Sequence, residues 1–204
     1  MAEHYFTEMP SSKRSIKEIT VDIKGFSFRF ETDRGVFSRG KLDRGTRLLI
    51  EAMDFDGAKK ILDLGCGYGA VGIVAAKVCP ESEVFMVDVN SRACELAVRN
   101  TQLNSVMNAK VLLGYGFEPV RGTMFDLILC NPPIRAGKAV VFSLITEAGE
   151  FLNRGGRLLV VARTKQGSKS ILRHMGEVFE RVEEIEKGGG YRVMEGLSPI
   201  LGLP

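Results

Sequence analysis

Residues 61–73, ILDLGCGYGAVGI, constrain the fold of this chain more than any other stretch. An apolar run with strand character ends in three alternating glycines, Gly65, Gly67 and Gly69, and passes straight into helical spacing. Glycine lets the backbone turn sharply and lets a ligand approach it closely. Strand, glycine turn and helix in that order belong to sheets built from β-α units. The same rhythm continues on both sides. KKILDL, EVFMVDV, AKVLLG, FDLILC and GRLLVVAR read as five buried strands. Helical spacing follows the first through Val78, then covers residues 91–103 with Ser91 as N-cap, 139–152 and 167–179. RVEEIEK and YRVMEGL close the chain as two strands, and the glycines between them leave no room for a crossover helix, so they run antiparallel to each other.

Strands alternating with helices predict an α/β fold, a mainly parallel sheet covered on both faces. Right-handed crossovers then place the loops after the strands along one edge, where open sheets of this kind bind ligands. Upstream of this pattern, residues 1–18 read as an irregular tail and VDIKGFSFRFET, residues 21–32, as a hairpin or bent strand around Gly25. A helix carrying LLIEAM begins near Asp43 or Thr46. Residues 1–42 are therefore assigned to an N-terminal extension and 43–204 to one catalytic domain.

At 204 residues, with 45% hydrophobic and 26% charged side chains, the chain suits one globular core. No apolar run approaches the roughly 20 residues that span a bilayer, and the N-terminus lacks the apolar core of a signal peptide. The expected location is cytoplasmic, with no membrane partner. Four cysteines without a C-x-x-C pair and two histidines give a metal site little to work with, so no metal is expected and the thiols read as reduced and packed. The net charge of +3 is only weakly basic. Its clusters matter more: Arg39, Lys41, Arg44 and Arg47, then Arg163, Lys165 and Lys169, are placed to meet phosphates or simply to solubilise the surface. No sequence feature marks an oligomer interface.

The glycine turn also fits a dinucleotide pattern, Gly67-x-Gly69-x-x-Gly72. Two features argue against a nicotinamide or flavin. Gly65 and Cys66 intervene between the strand and that pattern, and Asp63 would sit against a pyrophosphate. A carboxylate there suits S-adenosylmethionine, which carries a sulfonium and an amino group and no phosphate. Asp88, ending the next strand, is placed to accept hydrogen bonds from both ribose hydroxyls of an adenosine.

FDLILCNPPI, residues 125–134, brings a second motif to the same sheet edge. An amino group conjugated to a base or amide is a poor nucleophile because its lone pair is delocalised. The Asn131 side-chain oxygen and the Pro132 carbonyl can each accept one of its N–H bonds, turning the lone pair toward a methyl donor. Pro132 and Pro133 fix φ and hold that carbonyl rigidly. Catalysis then rests on positioning and electrostatics, without a strong base. Cys130 raises the thought of covalent attack on a pyrimidine, but the companion cysteine after a proline is absent, and a packed thiol is the better reading.

With both motifs in view, the chain resembles the class I S-adenosylmethionine-dependent methyltransferases, and NPPI points to their amino-group branch. Three further segments, GVFSRGKLDRGT (residues 35–46), RTKQGSKS (163–170) and GGYRV (189–193), resemble the small-subunit ribosomal RNA guanine-N2 methyltransferase family. The likeness is greatest to its short archaeal single-domain members and runs over about residues 20–195. It implies a doubly wound, seven-stranded Rossmann-like sheet with an antiparallel last strand and a short β-rich N-terminal extension. It implies that Gly65, Gly67, Gly69 and Asp88 hold the cofactor, with Asp63, Cys66 and Val89 beside them and Asn131 at the boundary with the substrate. Phe37 and Thr46 would lie near the cofactor or the substrate entrance, and Asn131, Pro132, Pro133 and Ile134 would form the catalytic segment.

The chain departs from the amino-methyltransferase pattern at two places. Ile134 stands where an aromatic residue often stacks on the flipped base, and Gly114-Tyr115-Gly116 stands where relatives carry an acid, leaving Tyr115 to stack on adenine or stay in water. The partner implied is RNA, ribosomal rather than transfer RNA, with the target base drawn out of its stack. Arg135, Lys138, Lys165 and Lys169, and the helix start at Gly167-Ser168, are candidates for flanking phosphates. The nearest alternative is a protein glutamine-N5 methyltransferase, which shares NPP chemistry but typically shows NPPY and a helical N-terminal domain. A DNA adenine methyltransferase would need a sequence-reading domain. A non-catalytic RNA-binding subunit would show degenerate glycines or a lost Asn, and a dehydrogenase leaves NPPI unexplained.

Overall fold

The computed structural model describes residues 12–55 and 57–200. Residues 12–16 are without regular structure, as expected of the tail, and 1–11 lie outside the described residues. Strands β1 (Lys17–Ile23) and β2 (Phe26–Thr32) pair antiparallel as a hairpin. Lys24 and Gly25 make its two-residue turn, both with positive φ (51° and 80°), as a primed turn requires. Phe28 and Phe30 on β2 are buried and stacked 5.9 Å apart, so the hairpin is part of the core rather than an appendage.

The main sheet holds seven strands: β3 (Lys60–Leu64), β4 (Glu83–Asp88), β5 (Ala109–Leu113), β6 (Phe125–Cys130), β7 (Leu152–Arg163), β8 (Phe179–Gly188) and β9 (Tyr191–Pro199). Their order is β5-β4-β3-β6-β7-β9-β8. Only β9 opposes the rest, because the tight turn at Gly189 and Gly190 (φ 56° and 82°) returns it between β7 and β8. The seven-stranded, mainly parallel sheet with an antiparallel last strand is therefore as expected.

Among the described residues five α-helices cover it: α1 (Arg44–Ala52), α2 (Ala70–Val78), α3 (Ser91–Leu103), α4 (Lys138–Glu150) and α5 (Ser168–Val178). Successive strand residues alternate between two cores, as period-2 side chains must. Ile61, Leu127, Leu129 and Leu159 pack with α1, α2, α3 and the hairpin, while Leu62, Ile128, Cys130 and Val160 pack with α4 and α5. None of these helices is long and apolar enough to cross a membrane.

The N-cap of α3 is Asn90, not Ser91: its side chain accepts the Ala93 N–H at 3.1 Å and is fully buried. Asn90 also donates to the Gly35 carbonyl at 2.8 Å and so pins the loop that carries Phe37. Further along α3, Asn100 and Asn104 stand one turn apart and act as a strand partner for β2. Asn100 accepts from Glu31 N (2.8 Å) and donates to Glu31 O (3.0 Å), and Asn104 does the same with Arg29 (3.0 and 2.7 Å). The β2 edge is thus satisfied by two side-chain amides rather than left open.

Candidate active site

The motifs meet because of register. Leu64 pairs with Val87 on one side and with Cys130 on the other, so the residues that follow, Gly65, Asp88 and Asn131, leave the sheet in one row. This row lies where the strand order reverses around β3, at the switch point of the sheet. Above it opens a cavity of about 750 Å³. Asp63, Gly65, Cys66, Gly67, Asp88, Val89, Tyr115, Phe37, Thr46, Asn131, Pro132, Pro133 and Ile134 all line it.

Gly69 does not. A Cβ there would come within 3.0 Å of Ile73 and 3.2 Å of Ala97, so this glycine lets α2 lie against α3 instead of facing a ligand. Its place in the glycine turn is thus beside Ala97 of α3 rather than on the cavity wall. Gly65 and Gly67 differ: both have positive φ (74° and 57°) and nothing within 4 Å of an added Cβ, so their bare backbone borders open space. Gly65 and Cys66 donate to the Val87 carbonyl (2.8 and 3.0 Å), and Gly67 donates to Asp88 Oδ2 at 2.8 Å, which fixes the loop.

Two carboxylates give the cavity its electrostatics. Asp63 is 2% exposed and accepts the Gly72 N–H at 2.8 Å. Burial pushes its carboxyl up to about 7, and the nearby Asp88 adds to the rise. Asp88 is also held above the ordinary carboxylate range by burial, opposed by hydrogen bonds from Asn90 and Gly67. Neither forms an ion pair with a cation among the described residues; backbone amides, which are neutral, donate to both. A cationic adenosine ligand without phosphate fits this donor set and this glycine cradle, and a dinucleotide pyrophosphate does not. Cys130 and Cys66 are buried thiols whose pKa burial drives far upward, so neither is a nucleophile.

Asn131 follows β6 and is half-buried. Its Nδ2 donates to Thr46 Oγ1 at 3.0 Å. Pro133 adopts φ −75° and ψ 75°, an inverse γ-turn in which Ile134 N donates to the Pro132 carbonyl at 2.8 Å. One of that oxygen's two lone pairs is thereby used and the other remains. A short 3₁₀ turn, Ile134–Ala136, carries Ile134 over the cavity with its side chain against the α4 core. Tyr115 lines the wall at 51% exposure.

Asp43, Tyr68 and Tyr191 also line the cavity, although the sequence assigned none of them a role in the site, and so does Arg163, which it flagged only for phosphate. Asp43 caps α1 by accepting from Gly45 N (2.8 Å) and Thr46 N (3.2 Å). Tyr191, at the start of β9, donates to the other Asp43 oxygen at 3.3 Å and accepts from Arg163 Nε at 2.7 Å. The only sequence signal was that each falls in, or next to, a glycine-containing segment at a strand or helix terminus. Of the basic residues flagged for phosphate, Arg135 and Arg163 stand at the cavity, and Lys138, Lys165 and Lys169 are exposed on the same edge. Arg39 instead bonds Ser15, and Arg47 reaches the Asp22 carbonyl and Glu51. Among the described residues no cluster of His, Cys, Asp or Glu is arranged to hold a metal.

Comparison with known proteins agrees with this geometry. Residues 27–195 match the model of the methyltransferase small domain. The uncharacterized protein YbxB of Bacillus subtilis is 37% identical over 197 residues, 96% of this chain and 98% of that protein. Ribosomal RNA small subunit methyltransferase C of Haemophilus influenzae is 34% identical over 163 residues, 78% of this chain and 48% of its own length, so the chain spans about half of that relative. Among solved structures, the T. thermophilus 16S rRNA N2 methyltransferase RsmC, in complex with AdoMet and guanosine, superposes with a TM-score of 0.81. It is 25% identical and aligns over 93% of this chain and 52% of that one. YbxB, which matches at nearly full length, is bacterial, which leaves the archaeal leaning of the resemblance without support. With a family model matching most of its length and the strand-end site intact, this chain belongs to the methyltransferase small domain family.

Proposed function

We propose that this chain methylates the exocyclic N2 of a guanine in ribosomal RNA, with S-adenosylmethionine as methyl donor. The observation that carries this reading is the row Asp88, Gly65, Asn131: a cradle for a cationic adenosine ligand and an amino-group clamp at adjacent strand ends of one cavity. S-adenosylmethionine supplies a methyl group on a sulfonium centre, open to in-line displacement by a nitrogen lone pair. Asp88 is the acceptor for ribose hydroxyls, and the backbone of Gly65 and Gly67 permits close approach. Asp63 places negative charge beneath the cationic end. Asn131 Oδ1 and the free lone pair of the Pro132 carbonyl take the two N–H bonds of the target amine, which directs its lone pair toward the donor. The γ-turn at Pro133 keeps that carbonyl from rotating away. No side chain is required to remove a proton first, because the methylated nitrogen becomes acidic and releases it to solvent.

RNA is favoured over a protein acceptor by the exposed basic residues Arg135, Lys138, Arg163, Lys165 and Lys169, which share the cavity edge and suit a polyanion. The names carried by the small-subunit relatives point the same way. Ile134, aliphatic rather than aromatic, would pack on the face of the flipped base. Incubation with methyl-labelled S-adenosylmethionine and small ribosomal subunits lacking their native modifications, followed by nucleoside mass spectrometry, tests the reading. Label in N2-methylguanosine is expected. Label in another nucleoside moves the substrate, and label on protein glutamine replaces RNA altogether.

A further inference from the structure

Three glycine-containing segments, around Asp43, Arg163 and Tyr191, are not used by the cofactor cradle or the amino-group clamp, yet they meet behind Asn131. The Arg163 guanidinium lies 5.0 Å from the centre of the Tyr191 ring while its Nε donates to the Tyr191 hydroxyl. That hydroxyl donates to Asp43 Oδ1, and Asp43 Oδ2 caps the first turn of α1. The ring also lies directly on Gly45: a Cβ there would sit 2.6 Å from its nearest carbon, so only glycine lets helix and ring approach this closely. One residue on, Thr46 is 7% exposed and its Oγ1 accepts a hydrogen bond from Asn131 Nδ2.

A threonine hydroxyl can accept from an amide nitrogen or donate to an amide oxygen; here it accepts from Asn131 Nδ2, which leaves Oδ1 for the cavity. In one orientation the cavity receives the oxygen, which accepts an N–H; in the other it receives the NH2, which repels one. We propose that Thr46 is a positioning residue of the transfer reaction, holding Asn131 Nδ2 so that Oδ1 faces the target amine. Arg163, Tyr191 and Asp43 form a strut that keeps the α1 N-terminus where Thr46 reaches Asn131. This inference rests on the amine-methylating role assigned above. The sequence expectation placed Thr46 near the cofactor or the substrate entrance; this inference has it act through Asn131.

Thr46→Val keeps the shape of the side chain and removes its hydrogen-bonding oxygen, whereas Thr46→Ser retains that oxygen. Thr46→Val is expected to lower kcat by roughly ten- to hundredfold, the scale of a misaligned reacting group. The dissociation constant for S-adenosylmethionine should stay within about twofold, and Thr46→Ser should recover most of kcat. Tyr191→Phe leaves the ring on Gly45 but cuts the strut, and should lower kcat in the same manner by a smaller factor. In an Asn131→Ala background, Thr46→Val should have no further effect on guanosine binding in the presence of S-adenosylhomocysteine, because it acts only through the amide. Independently of turnover, the Asn131 side-chain amide, assigned by 15N-Asn labelling, should show one slowly exchanging proton that Thr46→Val abolishes.

A Thr46→Val enzyme with wild-type kcat, or one whose loss lies in cofactor affinity, overturns the proposal. So does an Asn131 amide whose exchange is indifferent to Thr46. A wild-type chain that transfers nothing to RNA bears on the acceptor assignment instead, and the Asn131 resonance still decides the Thr46 contact.

Discussion

Asp63 is the group where stability and binding pull hardest against each other. Its carboxyl lies at the bottom of the cavity, with one backbone N–H as its hydrogen-bond donor, and burial raises it from an ordinary 3.8 to about 7. The folded protein keeps this proton up to about pH 7, whereas the unfolded chain releases it near pH 4. Between those values the folded state binds more protons, so its stability falls as pH rises. At 1.36 kcal/mol per unit, the ionised carboxylate costs the folded protein on the order of 4 kcal/mol above pH 7. Asp63→Asn keeps an oxygen for the Gly72 N–H and removes the charge, but adds an amide NH2 that needs a partner, at a cost of about 1–3 kcal/mol. The net gain is on the order of 2 kcal/mol at pH 8.5, or roughly 4–8 °C in Tm for a chain of this size. At pH 5, where the wild-type carboxyl is already neutral, that gain should vanish. Differential scanning calorimetry of the ligand-free protein at both pH values reads the difference directly. The same substitution should weaken S-adenosylmethionine at pH 8.5 by roughly tenfold or more, because the ligand's positive charge loses its counter-charge. Wild-type binding near pH 7 should release a proton, seen as a buffer-dependent calorimetric heat. An Asp63→Asn protein with the wild-type pH slope, or no more stable at pH 8.5 than at pH 5 relative to wild type, would refute the account of Asp63 as a buried carboxylate awaiting a cation.

Asn131→Ala should reduce transfer by roughly a hundredfold or more, the scale of losing one preorganised hydrogen-bonding group, while equilibrium dialysis finds cofactor affinity largely kept. Asp88→Ala removes the proposed ribose acceptor and the anchor for Gly67 N and Asn90 N. Its dissociation constant for S-adenosylmethionine should rise by roughly thirtyfold or more by titration calorimetry, and an unchanged value would misplace the ribose. Asn100 is fully buried and bonds both backbone groups of Glu31 and the Tyr68 carbonyl. Asn100→Ala should cost about 3 kcal/mol, a drop of roughly 6–12 °C in Tm, by leaving these groups unpaired.

Local chemistry made the catalytic fold legible in the primary structure. Period-2 and helical spacing place the strands and helices because each element must bury an apolar side whatever its neighbours are. The glycine turn at Gly65 and Gly67 is written locally, since positive φ is a demand of the backbone itself. The row of Asp88, Gly65 and Asn131 follows from parallel strands whose ends fall level, so the motifs could be assigned to one edge before any contact was known. Asn90 replacing Ser91 as the α3 cap is a one-residue matter of two residues equally suited to capping, decided by the reach of Asn90 to Gly35. Gly69 carries the same letter as Gly65 and Gly67 but lies against α3, and only the position of Ala97 reveals that. The Thr46–Asn131 bond spans 85 residues and the Asp43–Tyr191 bond 148. No periodicity or local propensity encodes such pairs. They exist because β9 is inserted beside β7 and because α1 packs across both strands, a matter of where whole elements come to rest. Sequence determined which residues can do the chemistry, since that depends on side-chain type and local turn. Tertiary structure alone decided that the Asn131 amide meets Thr46, since that depends on where α1 comes to rest.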